Sequence, residues 1–489
     1  MKHLVFCFDG TWNKIDVSYS TNVARIAQSV SHFTPEQIPQ PIYYEEGVGT
    51  AWYERWSGGI LGLGLTKNIT DAYHSLVLNY EPGDKIYVFG FSRGAFTARS
   101  FVGLIRNCGI MSRRSLPQIA DAVHLYQSRD ETSQPGSEKT RQFRLQHCPN
   151  LCLPLDREWR TAVGAVDGLD QAIDLRIEYL GVWDTVGALG VPGRLKALLF
   201  LNRKLQFHDT QLSSFVKRAR HAVSADEQRR TFEPTLWSNL DDLNAGLTDG
   251  SRYEQMIFPG VHSGVGGGGP IRGLSDGALE WIYRGAEKEG LAFDRDLQSP
   301  IYLMHADPRA QLFNQIGKYG WTLGDRLMGT GLRPRNFGAL DRRNLHDSLV
   351  LRYQAPGADL PEKTEYRPLS LEGMWNVLDH ARPAGSEAQI VETKALSDPR
   401  TIHAPLSVRK YVVKPRDTLG TIAAAEMGDA RDYAILFLHN LHAGILFDPN
   451  QIYVGQTIEI PVYPPHAPSL PADAPSPEPL APAIGIEAK

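Results

Sequence analysis

The chain has 489 residues, enough for roughly three domains at about 150 residues each. Lys and Arg total 51 against 55 Asp and Glu, a net charge of −4. That near-balance excludes a whole-chain polyanion binder, so no nucleic-acid partner is expected. With 42% hydrophobic and 22% charged residues, disorder, collagen and disulfide scaffolds are excluded for the bulk of the chain.

The N-terminus, Met1-Lys2-His3 and then an apolar run to Phe8, reaches Asp9 too soon for the apolar region of a secretory signal. No window of about 18 uninterrupted apolar residues follows, so no spanning helix is predicted. The expectation is synthesis in the cytoplasm, with any export using a route that reads no N-terminal signal.

In chain order, residues 4–8 (LVFCF) form the first buried strand run, ending at Asp9-Gly10-Thr11-Trp12-Asn13. Gly58-Gly59-Ile60-Leu61-Gly62-Leu63-Gly64 has the glycines of a dinucleotide fingerprint. No strand runs into it and no acidic residue stands in the right downstream unit, so it reads as a loop. Lys85–Phe91 (KIYVFGF) is the second strand, followed by a helix carrying Phe101, Val102, Leu104 and Ile105. From about 111 to 163 the composition becomes polar and charged, which predicts a helical insertion capping the sheet from above. Ile177–Trp183 (IEYLGVW) and residues 255–258 (QMIF) are further strands, and Leu279, Trp281, Ile282 and Ala286 mark another helix. Apolar strands alternating with helices predict an α/β fold, a mainly parallel sheet covered on both faces, with function at the carboxyl strand ends.

Between Arg194 and Arg203, the run Leu195, Ala197, Leu198, Leu199, Phe200, Leu201 is a core helix by its length, with a membrane-touching loop as the alternative. Gly266–Gly269 precedes Pro270 without a Lys-Ser/Thr pair and is no phosphate loop. A catalytic domain over 1–350 is followed by 351–405, rich in Pro, Glu and Ala, read as a small subdomain or linker. Residues 406–463 form a separate strand–helix–helix–strand unit, and 464–489 a Pro/Ala-rich flexible tail. Among the cysteines Cys7, Cys108, Cys148 and Cys152, the pair 148/152 beside His147 lacks a second ligand pair. Reduced structural thiols and no metal are expected.

The strongest local signal is Gly90-Phe91-Ser92-Arg93-Gly94, placed between a strand and a helix as a G-x-S-x-G nucleophile elbow requires. The two glycines let strand and helix approach, and the turn presents the serine at the tip of the sheet, near the positive end of a helix. A serine hydroxyl is a poor nucleophile at neutral pH and needs a histidine base oriented by a carboxylate. In α/β-hydrolases these follow in the order Ser, acid, His. Asp184, directly after Val182-Trp183, and His262, after the strand run 255–258, satisfy order and position. His208 beside Asp209 and His346 beside Asp347 lack a strong preceding strand. The oxyanion hole is expected at the Arg93 N–H and in the loop holding Gly10 and Thr11. Asp9 as an aspartyl nucleophile fails, because Thr11 stands where a second aspartate would be required.

Five segments in one order, FDGTWN at 8–13, GVGT at 47–50, GFSRGAFTAR at 90–99, GVWDTVGA at 181–188 and FPGVHS at 258–263, closely resemble an uncharacterised α/β-hydrolase domain family. That family includes type VI secretion phospholipase effectors. The resemblance covers roughly residues 1–300. It implies Ser92 as nucleophile, Asp184 as acid and His262 as base, acting on lipid esters. Gly264 stands where the family has an aspartate two residues after the histidine. In the C-terminal unit, Tyr411–Leu419, Asn440 and residues 450–461 resemble a LysM module, a family that binds N-acetylglucosamine polymers such as peptidoglycan. By that likeness Asp417, Thr418 and Leu419 lie nearest a bound sugar.

These readings predict a cofactor-free bacterial serine lipase or phospholipase of the secreted-effector kind. Its implied partners are a phospholipid or other lipid ester, peptidoglycan, a secretion machine and an immunity protein, with peripheral membrane contact. The alternatives are a deacetylase of envelope glycan or small esters, and a non-catalytic envelope-binding protein.

Overall fold

The computed structural model describes residues 1–11, 19–47, 58–128, 130–187, 211–247, 252–269, 271–294, 299–301, 304–312 and 332–383. Beyond these it describes 407–414, 417–428, 436, 439–440, 445 and 452–462. The expected helix near 195–201 and the tail at 464–489 lie outside the described residues, as do the hydrolase-motif positions 12–13, 48–50 and 188. The chain divides into two units, 1–397 and 398–489.

The first unit is built on strands β1 (His3–Thr11), β2 (Ile42–Gly47), β3 (Lys85–Phe91), β6 (Ile177–Trp183), β7 (Val216–Ser224) and β8 (Tyr253–Phe258). They form one sheet in the order β2-β1-β3-β6-β7-β8, every pairing parallel. A pair of two-residue strands, β4 (Leu151–Cys152) and β5 (Ile173–Asp174), lies apart from it. Residue alternation sends one set of side chains to each face. Leu4, Phe6, Phe8, Ile86, Val88, Leu180 and Val182 enter a core shared with helices α2 (Gly58–Asn79) and α3 (Arg93–Cys108). Val5, Cys7, Tyr87, Phe89, Phe91, Tyr179 and Trp183 enter the opposite core, which helix α1 (Asn22–Ser29) helps to close. The chain leaves β1 toward β2 on one side and resumes with β3 on the other. The crevice at that reversal opens at the carboxyl ends of β1 and β3, where Asp9 and Ser92 lie.

Several expectations are corrected. Gly58–Gly64 begins α2 rather than a loop. Leu65, Ile69, Ala72, Tyr73, Leu76 and Val77 recur at helical spacing and are buried on the sheet, and this tertiary packing outweighs the cost of about 1 kcal/mol per glycine. The polar region at 111–163 is helical, with α4 (Ile119–Gln127), α5 (Glu138–His147) and α6 (Pro154–Ala162). It does not cap the sheet at the elbow: Tyr126 lies against Gly103 and Cys148 against Gly109, at the end of α3 remote from Ser92. A short helix α7 (Leu240–Asn244) precedes β8. Helices α8 (His262–Gly266) and α9 (Gly273–Lys288) follow it, α9 closing the second core with Ala278, Leu279, Ile282 and Ala286.

Residues 351–383 are neither linker nor separate subdomain. Helices α10 (Asp347–Gln354) and α11 (Trp375–His380) belong to a third core cluster, in which Leu349, Val350, Tyr353, Leu371 and Leu378 meet Val223 of β7 and Ile257 of β8. This segment covers the β8 edge of the sheet. All four cysteines are buried free thiols.

In the second unit, β9 (Ser407–Val412) pairs antiparallel with β10 (Thr457–Val462) around helix α12 (Leu419–Glu426), and residues 436, 439 and 440 are also helical. Val413, Leu419, Ile422, Ala423, Leu436, Ile458 and Ile460 make its core. Among the described residues the named elements of this unit run strand, helix, strand in chain order.

Candidate active site

Ser92 follows β3 directly and caps α3 in the left-handed region, at φ +60° and ψ −123°. Such a backbone is costly for a residue with a β-carbon and persists only where its surroundings enforce it. The flanking glycines do so: a β-carbon at Gly90 would stand 2.6 Å from the Gly94 carbonyl oxygen, and one at Gly94 would overlap the carbonyl oxygens of Phe8 and Asp9. Serine at a helix N-cap ordinarily accepts a backbone N–H. Here its hydroxyl makes no capping bond and points instead to His262.

The other two residues reach the same spot through the sheet register. Phe91 is paired with Trp183, so Asp184 follows β6 beside Ser92, and the Ser92 N–H donates to the Trp183 carbonyl at 3.0 Å. Ser224 at the end of β7 is level with Phe258 of β8, and the turn after Phe258 leads into α8 at His262. Ser92 Oγ donates to His262 Nε2 at 2.7 Å, and His262 Nδ1 donates to Asp184 Oδ2 at 2.5 Å. A carboxylate only accepts, so the proton sits on Nδ1 and Nε2 is left free to take one. The imidazole packs against Phe91 (centroids 4.6 Å apart) and, in a T-shaped contact, against Phe232 (4.7 Å). Burial lowers the His262 pKa, and the bond to Asp184 recovers part of that shift.

Asp184 is completely buried, with φ +39°. Burial pushes its carboxyl up, but Arg335 and His262 together outweigh it and hold the group well below the usual carboxylate range. Arg335 forks onto it, Nη1 to Oδ1 at 2.6 Å and Nη2 to Oδ2 at 2.9 Å. The Ser224 N–H donates to Oδ1 at 2.9 Å. Glu227, also buried, accepts the His262 backbone N–H at 3.3 Å and the Arg229 guanidinium at 2.7 Å. The Arg229 guanidinium in turn lies 3.7 Å over the Phe232 ring.

The expected oxyanion donors lie in different circumstances. The Arg93 N–H is in the first turn of α3, where no intrahelical acceptor exists. Its side chain shares a polar hollow with Asp9, Glu45, Asn68 and Thr97, where burial pulls the guanidinium down to about 10. The Gly10 N–H is occupied, donating to Asp9 Oδ1 at 2.6 Å. Asp9 Oδ2 accepts from Thr21 Oγ1 and from the Tyr44 hydroxyl, both at 2.6 Å, so both Asp9 carboxylate oxygens are engaged in holding this loop. Thr11, the last residue of β1, is paired with Gly47.

In the second unit the Asp417 carboxylate accepts the Lys414 N–H at 2.7 Å and the Tyr411 hydroxyl at 2.9 Å, and Thr418 caps α12 by accepting from the Thr421 N–H. Leu419 is buried in that unit's core.

Arg335, Ser224, Glu227 and Phe232 were not legible as site residues. Arg335 is far along the chain from the motifs and follows no strand, and Ser224 ends a strand disguised by its cations.

A parallel sheet with helices on both faces, with Ser92, His262 and Asp184 hydrogen-bonded at its carboxyl edge, is consistent with a hydrolase-like α/β fold. Residues 2–285, over half of the chain, match the type VI secretion system (T6SS) family described as phospholipase effector Tle1-like, catalytic domain, and the chain belongs to that family. It is 27% identical over 254 residues to "Uncharacterized protein YEL023C" of Saccharomyces cerevisiae, a match covering 49% of this chain and 33% of that protein. The chain thus spans about a third of that relative's length. Two solved structures show weaker likeness. One is an uncharacterised protein from Pseudomonas aeruginosa, at 19% identity and TM-score 0.31, covering 60% of this chain and 46% of that one. The other is the Tle1 effector bound to the VgrG spike of the type 6 secretion system, at 17% identity and TM-score 0.29, covering 56% and 52%. Among the described residues no helix is long and apolar enough to cross a membrane.

Proposed function

We propose that the chain is a serine acyl hydrolase that cleaves phospholipid esters, with Ser92 as nucleophile, His262 as general base and Asp184 as the acid that orients it. The observation that carries this reading is the unbroken hydrogen-bond line from Ser92 Oγ through both His262 nitrogens to Asp184. Ser92 Oγ attacks the ester carbonyl carbon while its proton passes to His262 Nε2. The tetrahedral oxyanion forms beside the N–H of Arg93, with the Thr11 N–H as second donor once substrate is bound. His262 returns the proton to the departing alcohol, and water then repeats the sequence on the acyl-serine.

Membership of the phospholipase effector family supports lipid esters as substrates and delivery by a secretion system. We also propose envelope-glycan contact for the second unit, on the strength of its order of elements.

The test is fatty-acid release from phosphatidylglycerol liposomes by wild type and by Ser92→Ala. Release by wild type and its loss by several orders of magnitude in the variant is expected. Equal release by both proteins would overturn the assignment of Ser92, and turnover of short-chain esters alone would replace the lipase by a small-ester deacetylase.

A further inference from the structure

We infer that Arg335 is a positioning residue of the active site, fixing both the acid that orients His262 and the ring that packs against it. The inference rests on the reading of Ser92, His262 and Asp184 given above and deepens it. Arg335 lies outside the segment that matches the family, 2–285, yet its side chain is buried at 2% exposure against the acid. Its planar fork takes one oxygen of Asp184 on each Nη, at 2.6 and 2.9 Å, the geometry that arginine alone provides.

The same guanidinium is anchored from behind. Nη1 also donates to the Ser224 carbonyl at 2.9 Å and to Ser224 Oγ at 2.7 Å, and Nη2 donates to the Phe232 carbonyl at 2.6 Å. Ser224 closes the loop by giving its own N–H to Asp184. The fork therefore cannot swing away, and Asp184 cannot rotate without breaking it. Phe232, tied to Arg335 through its carbonyl, packs its ring against His262 at 74° to the imidazole.

The electrostatic consequence has a definite sign. In the resting state His262 is neutral, and a completely buried carboxylate needs a compensating cation; Arg335 is that cation. When His262 takes the serine proton, the imidazolium shares Asp184 with a charge already present, so its stabilisation is smaller than an unshared carboxylate would give. The charged groups facing His262 are Asp184, Glu227 and Arg229, and those facing Asp184 are Arg335 and His262, with His221 and Arg99 beyond. Removing Arg335 alone leaves Asp184 and Glu227 to favour the imidazolium.

The experiment compares wild type, Arg335→Met and Arg335→Lys in the full chain. Each is measured for kcat, KM and the pH profile on p-nitrophenyl butyrate, and for the titration of the low-field Nδ1 proton of His262 by NMR. Arg335→Met is expected to lower kcat about 10²-fold with KM nearly unchanged, as for a small misplacement of a catalytic group. Its acidic limb and the His262 titration should both move upward by about one pH unit. Arg335→Lys keeps the charge without the fork, so its limb should stay in place while kcat falls about tenfold. Folded variants with wild-type kcat, or a kcat loss with no movement of limb or NMR titration in Arg335→Met, would overturn the inference. If Arg335→Met does not fold, Arg335→Lys decides it: an unchanged kcat refutes the fork. Failure of the hydrolase reading is separate, showing as no Ser92-dependent turnover in wild type, while the NMR titration still reports what Arg335 does to His262.

Discussion

Gly266 lies so close against Phe91 that a β-carbon built on it would overlap the aromatic ring. Phe91 ends β3, and its other neighbour is the imidazole of His262. A methyl group at 266 must therefore displace the ring, and the ring must displace the histidine. Overpacking of this kind costs about 1–3 kcal/mol, and a shift of the base costs turnover besides. Gly266→Ala is expected to lower kcat at least tenfold and to lower the melting temperature by several degrees. Gly264→Ala in the same helix meets only Val261 Cγ2, at 3.9 Å, and serves as the control with near wild-type kcat and Tm. Equal behaviour of the two variants would show that Phe91 does not transmit the strain.

The pH dependence of turnover follows from the burial of His262. The base works only when neutral, so kcat/KM must fall as pH drops through its pKa. Burial holds that pKa below the ordinary histidine value of about 6.5, with Asp184 opposing it in part. The acidic limb for the free enzyme should then have its midpoint below 6.5, and hydrolysis of p-nitrophenyl butyrate should persist into mildly acidic solution. A kcat/KM profile from about pH 5 to about pH 8 checks this. A midpoint well above 6.5 would mean that Asp184 and Glu227 outweigh burial.

Four of the six sheet strands were legible in the sequence because they are continuous apolar runs, and the elbow, Asp184 and His262 were legible because each follows one of them. β7 was not, since Lys217, Arg218 and Arg220 break its pattern. The structure neutralises them sideways, Lys217 on Glu178, Arg218 on Glu289 and Arg220 on Glu254, with Arg220 also over the Trp281 ring. Those partners lie on β6, at the C-terminal cap of α9 and on β8, and no local pattern reveals them. β2 escaped notice because it is an edge strand with polar residues, Glu45 and Glu46, in its second half. Arg335 could not be found from sequence at all: its role exists only because 332–383 folds back along β7 and β8.

Two further histidines make the fold sensitive to acid. Burial pushes both His221 and His346 down to about 3, Arg99 adding to the effect at the first and Arg220 and Arg342 at the second. Their folded-state values lie below the unfolded value of about 6.5, so the unfolded chain binds more protons between those limits, and stability is lost as pH falls through that window. Each contributes about 1.4 kcal/mol per pH unit, or about 2 kcal/mol between pH 6.5 and pH 5. His346 accepts the Ser348 N–H at the start of α10 and stacks on Phe258 with centroids 4.1 Å apart. His346→Asn keeps the cap, loses the stack and does not titrate. It should be less stable than wild type at pH 7 in urea unfolding, and the gap should narrow by about 2 kcal/mol at pH 5. A constant gap would show that His346 does not stay neutral in the folded protein.

Among the described residues the second unit closes a core of its own: the cluster around Leu419, Ile422, Leu436 and Ile460 contains no described residue of the first unit, and the first unit's described cluster residues end at Ala381. The array at Ser92 likewise draws only on residues up to Arg335 among those described. Deletion of 407–489 should therefore leave kcat/KM on p-nitrophenyl butyrate within about twofold of the full chain, as for distant sites that share no partners. If the deleted unit carries envelope contact, co-sedimentation with purified peptidoglycan sacculi should be lost with it while esterase activity remains in the supernatant. The buried Leu419 gives this a sharper form. Thr418→Ala removes a cap hydroxyl and costs about 1 kcal/mol in that unit, whereas Leu419→Ala empties its core at about 2–5 kcal/mol. Sacculus binding that follows the melting of the unit in Leu419→Ala but survives in folded Thr418→Ala would place the contact away from 417–419. Loss of binding in folded Thr418→Ala would bring it back to that loop.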